Sequence, residues 1–229
     1  MAVQQGAQKN AIVPLLLLIS ATTGLVDAVS VLGFGKVFTA NMTGNIVFLG
    51  FALAGTPGFS CSPYIVALLF FAGGAGVGGW MWKAQSPHGR RSWLLWAGTI
   101  EAVLLGLAGA CALAGGAPLA QRAMLTMISL TAAAMGCRNA TVRQLKVADL
   151  TTTVLTMTIT GLAADSPAAS GGHSPNLGRR LGAVLAILIG ALAGALLVVH
   201  TGLALPLVLA GLITLGATVA LACDPPVGA

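Results

Sequence analysis

Charge is what this sequence has least of. Only 7% of its 229 residues are Asp, Glu, Lys or Arg, and just five of them are acids. A soluble domain usually carries about 25% charged residues. So few charges cannot cover a water-facing surface, which argues against a soluble enzyme. Aromatic residues are also few, at 5%. The four cysteines (Cys61, Cys111, Cys137, Cys223) stand far apart with no C-x-x-C spacing, so neither a metal nor a redox centre is expected. There is no H-E-x-x-H, no serine nucleophile elbow and no P-loop. The Gly-x-Gly-Asp pattern of intramembrane aspartyl proteases is absent as well. These absences predict a chain that is not an enzyme and needs no cofactor.

What is present is apolar. Hydrophobic residues make up 57% of the chain, and the mean hydropathy is +0.94. No charge occurs from Val37 to Trp82, or from Leu181 to Cys223. A spanning helix needs roughly 20 apolar residues, so each run holds two passages and a turn. Lipid is the expected solvent and the bilayer the expected partner. Glycine is abundant, at 31, with a run at residues 73–79 and further examples at Gly190 and Gly194. Small residues let helices approach closely in lipid. The net charge of +6 comes from Lys and Arg at helix ends, which fits positive-inside topology rather than nucleic-acid binding.

Eight apolar segments follow, at about 11–34, 37–55, 62–82, 92–115, 119–137, 150–164, 181–200 and 203–222. The first reads as an uncleaved helix rather than a signal peptide. The second and sixth are weak, being polar or Thr-rich over much of their length. They occupy matching places in two halves, 11–115 and 119–222, of one membrane domain spanning 1–229. Gly24-x-x-Asp27-Ala28 recurs as Gly136-x-x-Asn139-Ala140, and Ala40-Asn41-x-Thr43 as Ala148-Asp149-x-Thr151.

If all eight segments cross, in a 4+4 arrangement, the basic residues divide four against seven. If the weak two return to the face they came from, Lys9, Lys83, Arg90, Arg91, Arg138, Arg143, Lys146, Arg179 and Arg180 share one face. Only Lys36 and Arg122 then lie on the other. The second division is the stronger positive-inside pattern. It predicts an all-α membrane protein with six spanning helices and two half-membrane segments in an inverted 3+3 repeat, both termini being cytoplasmic. Inverted repeats with interrupted segments characterise transporters and channels.

Ionisable and amide groups within apolar segments are expensive and commonly functional. Asp27 shares a helical face with Thr23 and Ser30. Asn41, Thr43 and Asn45 lie where a helix would begin inside the membrane, its free N–H groups directed inward. In the second half Asn139 stands where Asp27 stood. Asp149, Thr151, Thr152 and Thr153 form the matching wall. Thr156, Thr158 and Thr160 either line a polar path or satisfy their own backbone. Glu101 is the remaining intramembrane acid, with Arg122 as a candidate partner. Each of these groups has an alternative role in clamping helices together. The ligand and ion candidates are therefore Asp27, Asn41, Thr43, Asn45, Asn139, Asp149, Thr151, Thr152 and Glu101.

Residues 24–30, Gly-Leu-Val-Asp-Ala-Val-Ser, are followed by Phe-Thr-Ala-Asn-Met-Thr-Gly-Asn at 38–45. With Arg138-Asn139-Ala140 and the chain length, this pattern resembles the YoaK-like family of bacterial multi-spanning membrane proteins. The resemblance covers most of the chain. It implies an inner-membrane location and supplies neither a substrate nor catalytic residues. The residues themselves suggest a small-solute permease, with the proton as a candidate coupling ion. The rival is a non-transporting scaffold or accessory protein. Homo-oligomerisation stays open, and no nucleic-acid partner is expected.

Overall fold

A computed structural model describes residues 2–85, 89–115, 120–145, 155–166 and 177–223. All regular structure among them is helical: α1 (Ala2–Gly33), α2 (Met42–Leu53), α3 (Cys61–Gln85), α4 (Arg90–Ala114), α5 (Gln121–Leu145), α6 (Leu155–Ala164), α7 (Leu177–Thr201) and α8 (Ala204–Cys223). Five helices are long and apolar enough to cross a membrane: α1 from Val13, α3, α4 from Arg91, α7 and α8. Helix α5 has the same length as α3 and α4, 25 residues, but is far less apolar. Leu69, Leu107, Leu113, Leu188, Leu192 and Leu212 stay exposed around the outside. In water such a girdle would be untenable, whereas in lipid it is the solvated surface.

One expected boundary moves. The apolar pattern ends segment 5 at 137 and puts Arg138 on a polar stretch at the membrane face. The helix instead runs on to Leu145, and Arg138 is buried, at 3% exposure. Residues 139–145 contain neither Gly nor Pro, so nothing in them stops a helix.

Glycines set the helix pairing. Gly24 of α1 lies against the backbone of Ile187 and Ala191 in α7. Gly190 lies on Ala21, and Gly194 on Leu25 and Ala28. The numbers rise together, so α1 and α7 run parallel. The same contacts recur between α3 and α5. Gly136 lies on Phe71 and Ala75, Gly74 on Ala133, and Gly78 on Cys137 and Ala140. A Cβ at any of these six positions would meet backbone or a neighbouring Cβ. A Cβ at Gly73, Gly76 or Gly79, on the other faces of α3, would meet nothing. Between α4 and α8 the order reverses, with Gly98 on Thr218, Gly211 on Ala102 and Leu105, and Gly109 on Val208.

Directions follow. Helices α3–α4, α4–α5 and α7–α8 are joined by short connections and so are antiparallel hairpins. With α1 pointing up, α7 and α4 also point up, and α3, α5 and α8 point down. The chain leaves α1 and enters α3 on one face, so α2 does not cross. It leaves α5 and enters α7 on the opposite face, so α6 does not cross either.

The interior is layered. One apolar cluster, including Val29, Phe34, Tyr64, Leu105 and Met127, fills the upper half. A second, including Leu16, Met81, Trp93, Leu94 and Leu221, fills the lower half. Trp80 and Trp96 project outward at the lower end, beside Lys83 and Arg91. This is the belt position for tryptophan.

Candidate functional site

Helix α1 ends in a turn at Gly35 and Lys36, both with positive φ. The chain then folds back along α1. The Ala40 N–H donates to a carboxylate oxygen of Asp27 at 3.1 Å. Asp27 is six residues before the end of α1, so the chain has re-entered by about 9 Å at 1.5 Å per residue. Asn45 clips this hairpin shut. Its Oδ1 accepts the Phe38 N–H at 3.0 Å, and its Nδ2 donates to the Phe38 carbonyl at 2.6 Å. Phe38, Phe48, Phe51, Phe59 and Tyr64 then form a contiguous aromatic cluster linking α2 to the start of α3. The Lys36 ammonium lies 5.0 Å above the Phe59 ring, within cation–π range.

Helix α6 is anchored at its far end. Arg180 of α7 pairs with Asp165 at 2.6 Å, and Gly161 gives its guanidinium room. The first turn of α6 lies near Ile187, which itself faces Gly24 of α1. Gly24 is one residue from the midpoint of the Val13–Gly33 span. Both short helices therefore begin near mid-depth along α1, with Asn41, Thr43 and Thr156 exposed.

Between their first turns lies a crevice of about 480 Å³. Its polar wall is Thr23 and Asp27 of α1, Asn41 and Thr43 at the start of α2, and Thr156 of α6. Val47, Phe48, Ile159 and Ile187 supply the apolar wall. The volume falls in the range of small-molecule sites, about 300–1,000 Å³. Among the described residues, no cation forms an ion pair with Asp27.

One turn below Asp27, Thr23 joins the crevice to a second polar centre. The Arg138 Nε donates to Glu101 at 2.8 Å, and Nη2 contacts the same carboxylate oxygen. Nη2 also donates to the Thr214 hydroxyl at 2.8 Å. Nη1 donates to the Thr23 hydroxyl at 2.9 Å and to the Ile19 carbonyl at 3.3 Å. Thr23, Glu101 and Thr214 all lie within about two residues of the midpoints of their spans. Glu101 is therefore paired with Arg138, not with Arg122 as expected. A buried carboxylate needs a desolvated partner, and Arg122 in the first turn of α5 is exposed.

The structure gathers Asp27, Asn41 and Thr43 into one crevice. Asn45 lies behind it, its amide spent on Phe38. Asn139 is half-buried on α5, away from the crevice wall, and Glu101 belongs to the arginine centre. Asp149, Thr151 and Thr152 lie outside the described residues. Thr156 does line the crevice, while Thr160 donates to the Thr156 carbonyl at 2.9 Å. No group of three potential metal ligands occurs among the described residues. Sequence reading missed Arg138 and Thr214. The available signal was Glu101 itself, an acid near mid-span that demands a cation from a neighbouring helix.

A family model described as "Protein of unknown function (DUF1275)" matches residues 15–220. The chain belongs to the DUF1275 family. A relative named "UPF0700 transmembrane protein YoaK", from Bacillus subtilis (strain 168), is 31% identical over 157 residues. The match covers 66% of this chain and 65% of the relative, so it spans just under two thirds of that protein's length. No solved structure matches the chain. The YoaK-like resemblance and the membrane assignment both stand. In this DUF1275 chain, the matched region holds all of α2 to α7 and every residue of the crevice and the arginine centre.

Proposed function

We propose that this DUF1275 chain is a small-solute transporter of the bacterial plasma membrane, built from two inverted halves and coupled to protons through Asp27. The observation that carries the reading is the polar crevice where two non-crossing helices begin beside Asp27. Irregular backbone at membrane depth is tolerated where protein or a wet cavity surrounds it. Transporter sites typically form at such broken helices between repeats. A carboxylate with no ion-pair partner among the described residues offers there a site for a proton or for the positive group of a solute. Thr43, Asn41 and Thr156 offer directional hydrogen bonds.

The glycine contacts support duplication. Each contact between α1 and α7 has its counterpart between α5 and α3, with the helices reversed in the membrane. Basic residues support the orientation. Lys83, Arg91, Arg143, Arg179 and Arg180 gather at the lower ends of the helices, against Lys36 and Arg122 above. The lower face, where α1 begins and α8 ends, is then cytoplasmic.

A scaffold role is the second reading, favoured by the Asp27–Ala40 and Asn45–Phe38 bonds, which clasp the hairpin. Ligand-dependent thermal stabilisation in detergent separates the two, because a ligand that binds the folded state raises its stability. A panel of small amines, amino acids, polyols and organic acids should contain a solute that stabilises the wild type and not Asp27→Asn. The transporter reading fails if nothing stabilises the wild type, or if Asp27→Asn responds equally to every solute that does.

A further inference from the structure

We propose that Arg138, held by Glu101, is a positioning residue that seals the crevice toward the basic face of the protein. This rests on the crevice being the solute site.

Ile19, Thr23 and Asp27 succeed one another at i, i+4 spacing and form a stripe down one face of α1. The upper part of the stripe, Thr23 and Asp27, is crevice wall. The lower part, at Ile19, borders a separate void of about 20 Å³. Glu101, Arg138, Thr141, Thr214 and Thr218 put polar groups around that void. It has room for about one water and no more. Thr23 thus belongs to the crevice and bonds to Arg138, while Arg138 and Glu101 belong to the void. The guanidinium is the partition between them. Toward the basic face the void is lined by Leu94, Leu145 and Leu221.

Four helices meet at this partition: α1 and α4 from the first half, α5 and α8 from the second. A single side chain therefore links both halves across the bundle. The pairing of α4 with α8 relates Gly98 to Gly211 and Leu105 to Thr218. The same relation places Glu101 opposite Thr214. The relation of Gly24 to Gly136 places Val26 opposite Arg138. One half supplies a buried cation where the other supplies a buried valine. The seal is consequently one-sided. No matching ion pair stands between the crevice and the upper face at the equivalent position, so the structure is closed below.

The test is sided thiol labelling. Cys61, Cys111, Cys137 and Cys223 are replaced by Ala, and Thr43→Cys is introduced in the full chain. A membrane-impermeant maleimide is then applied to right-side-out and inverted vesicles. Thr43→Cys alone should label from the face of Lys36 and Arg122 only. Adding Thr23→Val or Glu101→Gln should raise labelling from the basic face by about tenfold or more, since the first removes a hydrogen bond to the buried guanidinium and the second its counter-charge, and each shifts the closed–open balance. Thr23→Val removes one hydroxyl of similar volume, which keeps the test valid if Glu101→Gln fails to fold. A purely structural role would lower thermal stability without changing the labelled side. The proposal is overturned if Thr43→Cys labels equally from both faces, labels from neither, or keeps its sidedness in both variants. Solute stabilisation that still depends on Asp27 would then leave the solute site standing without this seal.

Discussion

Replacing Glu101 with Met leaves a guanidinium buried at mid-span with no counter-charge. The Arg138 and Glu101 side chains are only 2% and 5% exposed, so water offers little compensation. Breaking a buried pair by removing one partner costs about 3–5 kcal/mol. Glu101→Met and Arg138→Met should each destabilise by that amount in reversible unfolding from mixed micelles. The double replacement behaves differently. Removing both members of a buried pair is often neutral or stabilising. The neighbouring hydroxyls would also stay satisfied, because Thr23 donates to the Ile19 carbonyl at 3.1 Å and Thr22 lies 3.4 Å from Thr214. The double variant should therefore be more stable than either single variant. A double variant whose loss equals the sum of the two singles would refute the direct pairing of these residues.

The symmetry of the glycine contacts makes its own prediction. Gly24→Leu and Gly136→Leu each drive a side chain into a facing backbone, at Ile187 and Phe71 respectively. Overpacking costs about 1–3 kcal/mol or more, and both should lower the midpoint of thermal unfolding in detergent by similar amounts, whereas Gly73→Leu and Gly76→Leu should change it little. Asn45→Ala strips two hydrogen bonds from Phe38. It should cost about 1–3 kcal/mol through the partly buried backbone groups it orphans, and should speed proteolysis near residues 36–41 in detergent.

Much of this architecture can be read from the sequence because membranes penalise charge so steeply. The gaps in charge from Val37 to Trp82 and from Leu181 to Cys223 marked the spanning regions. The polarity of Thr39 to Asn45 marked the non-crossing hairpin, since a lipid-facing helix has no use for two asparagines within five residues. The recurrence of Gly24 and Gly136 was legible for a steric reason: a glycine that admits a neighbouring backbone cannot be exchanged for a larger residue. Side-chain direction was not legible. Of the run at 73–79, Gly74 and Gly78 are contact positions while Gly73, Gly76 and Gly79 face outward, and composition treats all five alike. Arg138 was misplaced because arginine is usually found at helix ends. Only tertiary pairing with Glu101 makes its burial tolerable. Asn45 shows the opposite error, a polar residue of the right type in the right segment whose amide is consumed in holding the turn.

Solute movement in sealed liposomes bears most directly on the crevice as a transport site. For the solute that stabilises the wild type in detergent, counterflow is measured for wild type and Asp27→Asn, each reconstituted at equal density with folding checked by size exclusion. Accumulation by the wild type and background exchange by a folded Asp27→Asn is the predicted result. Equal exchange by both, or none by the wild type, would contradict it.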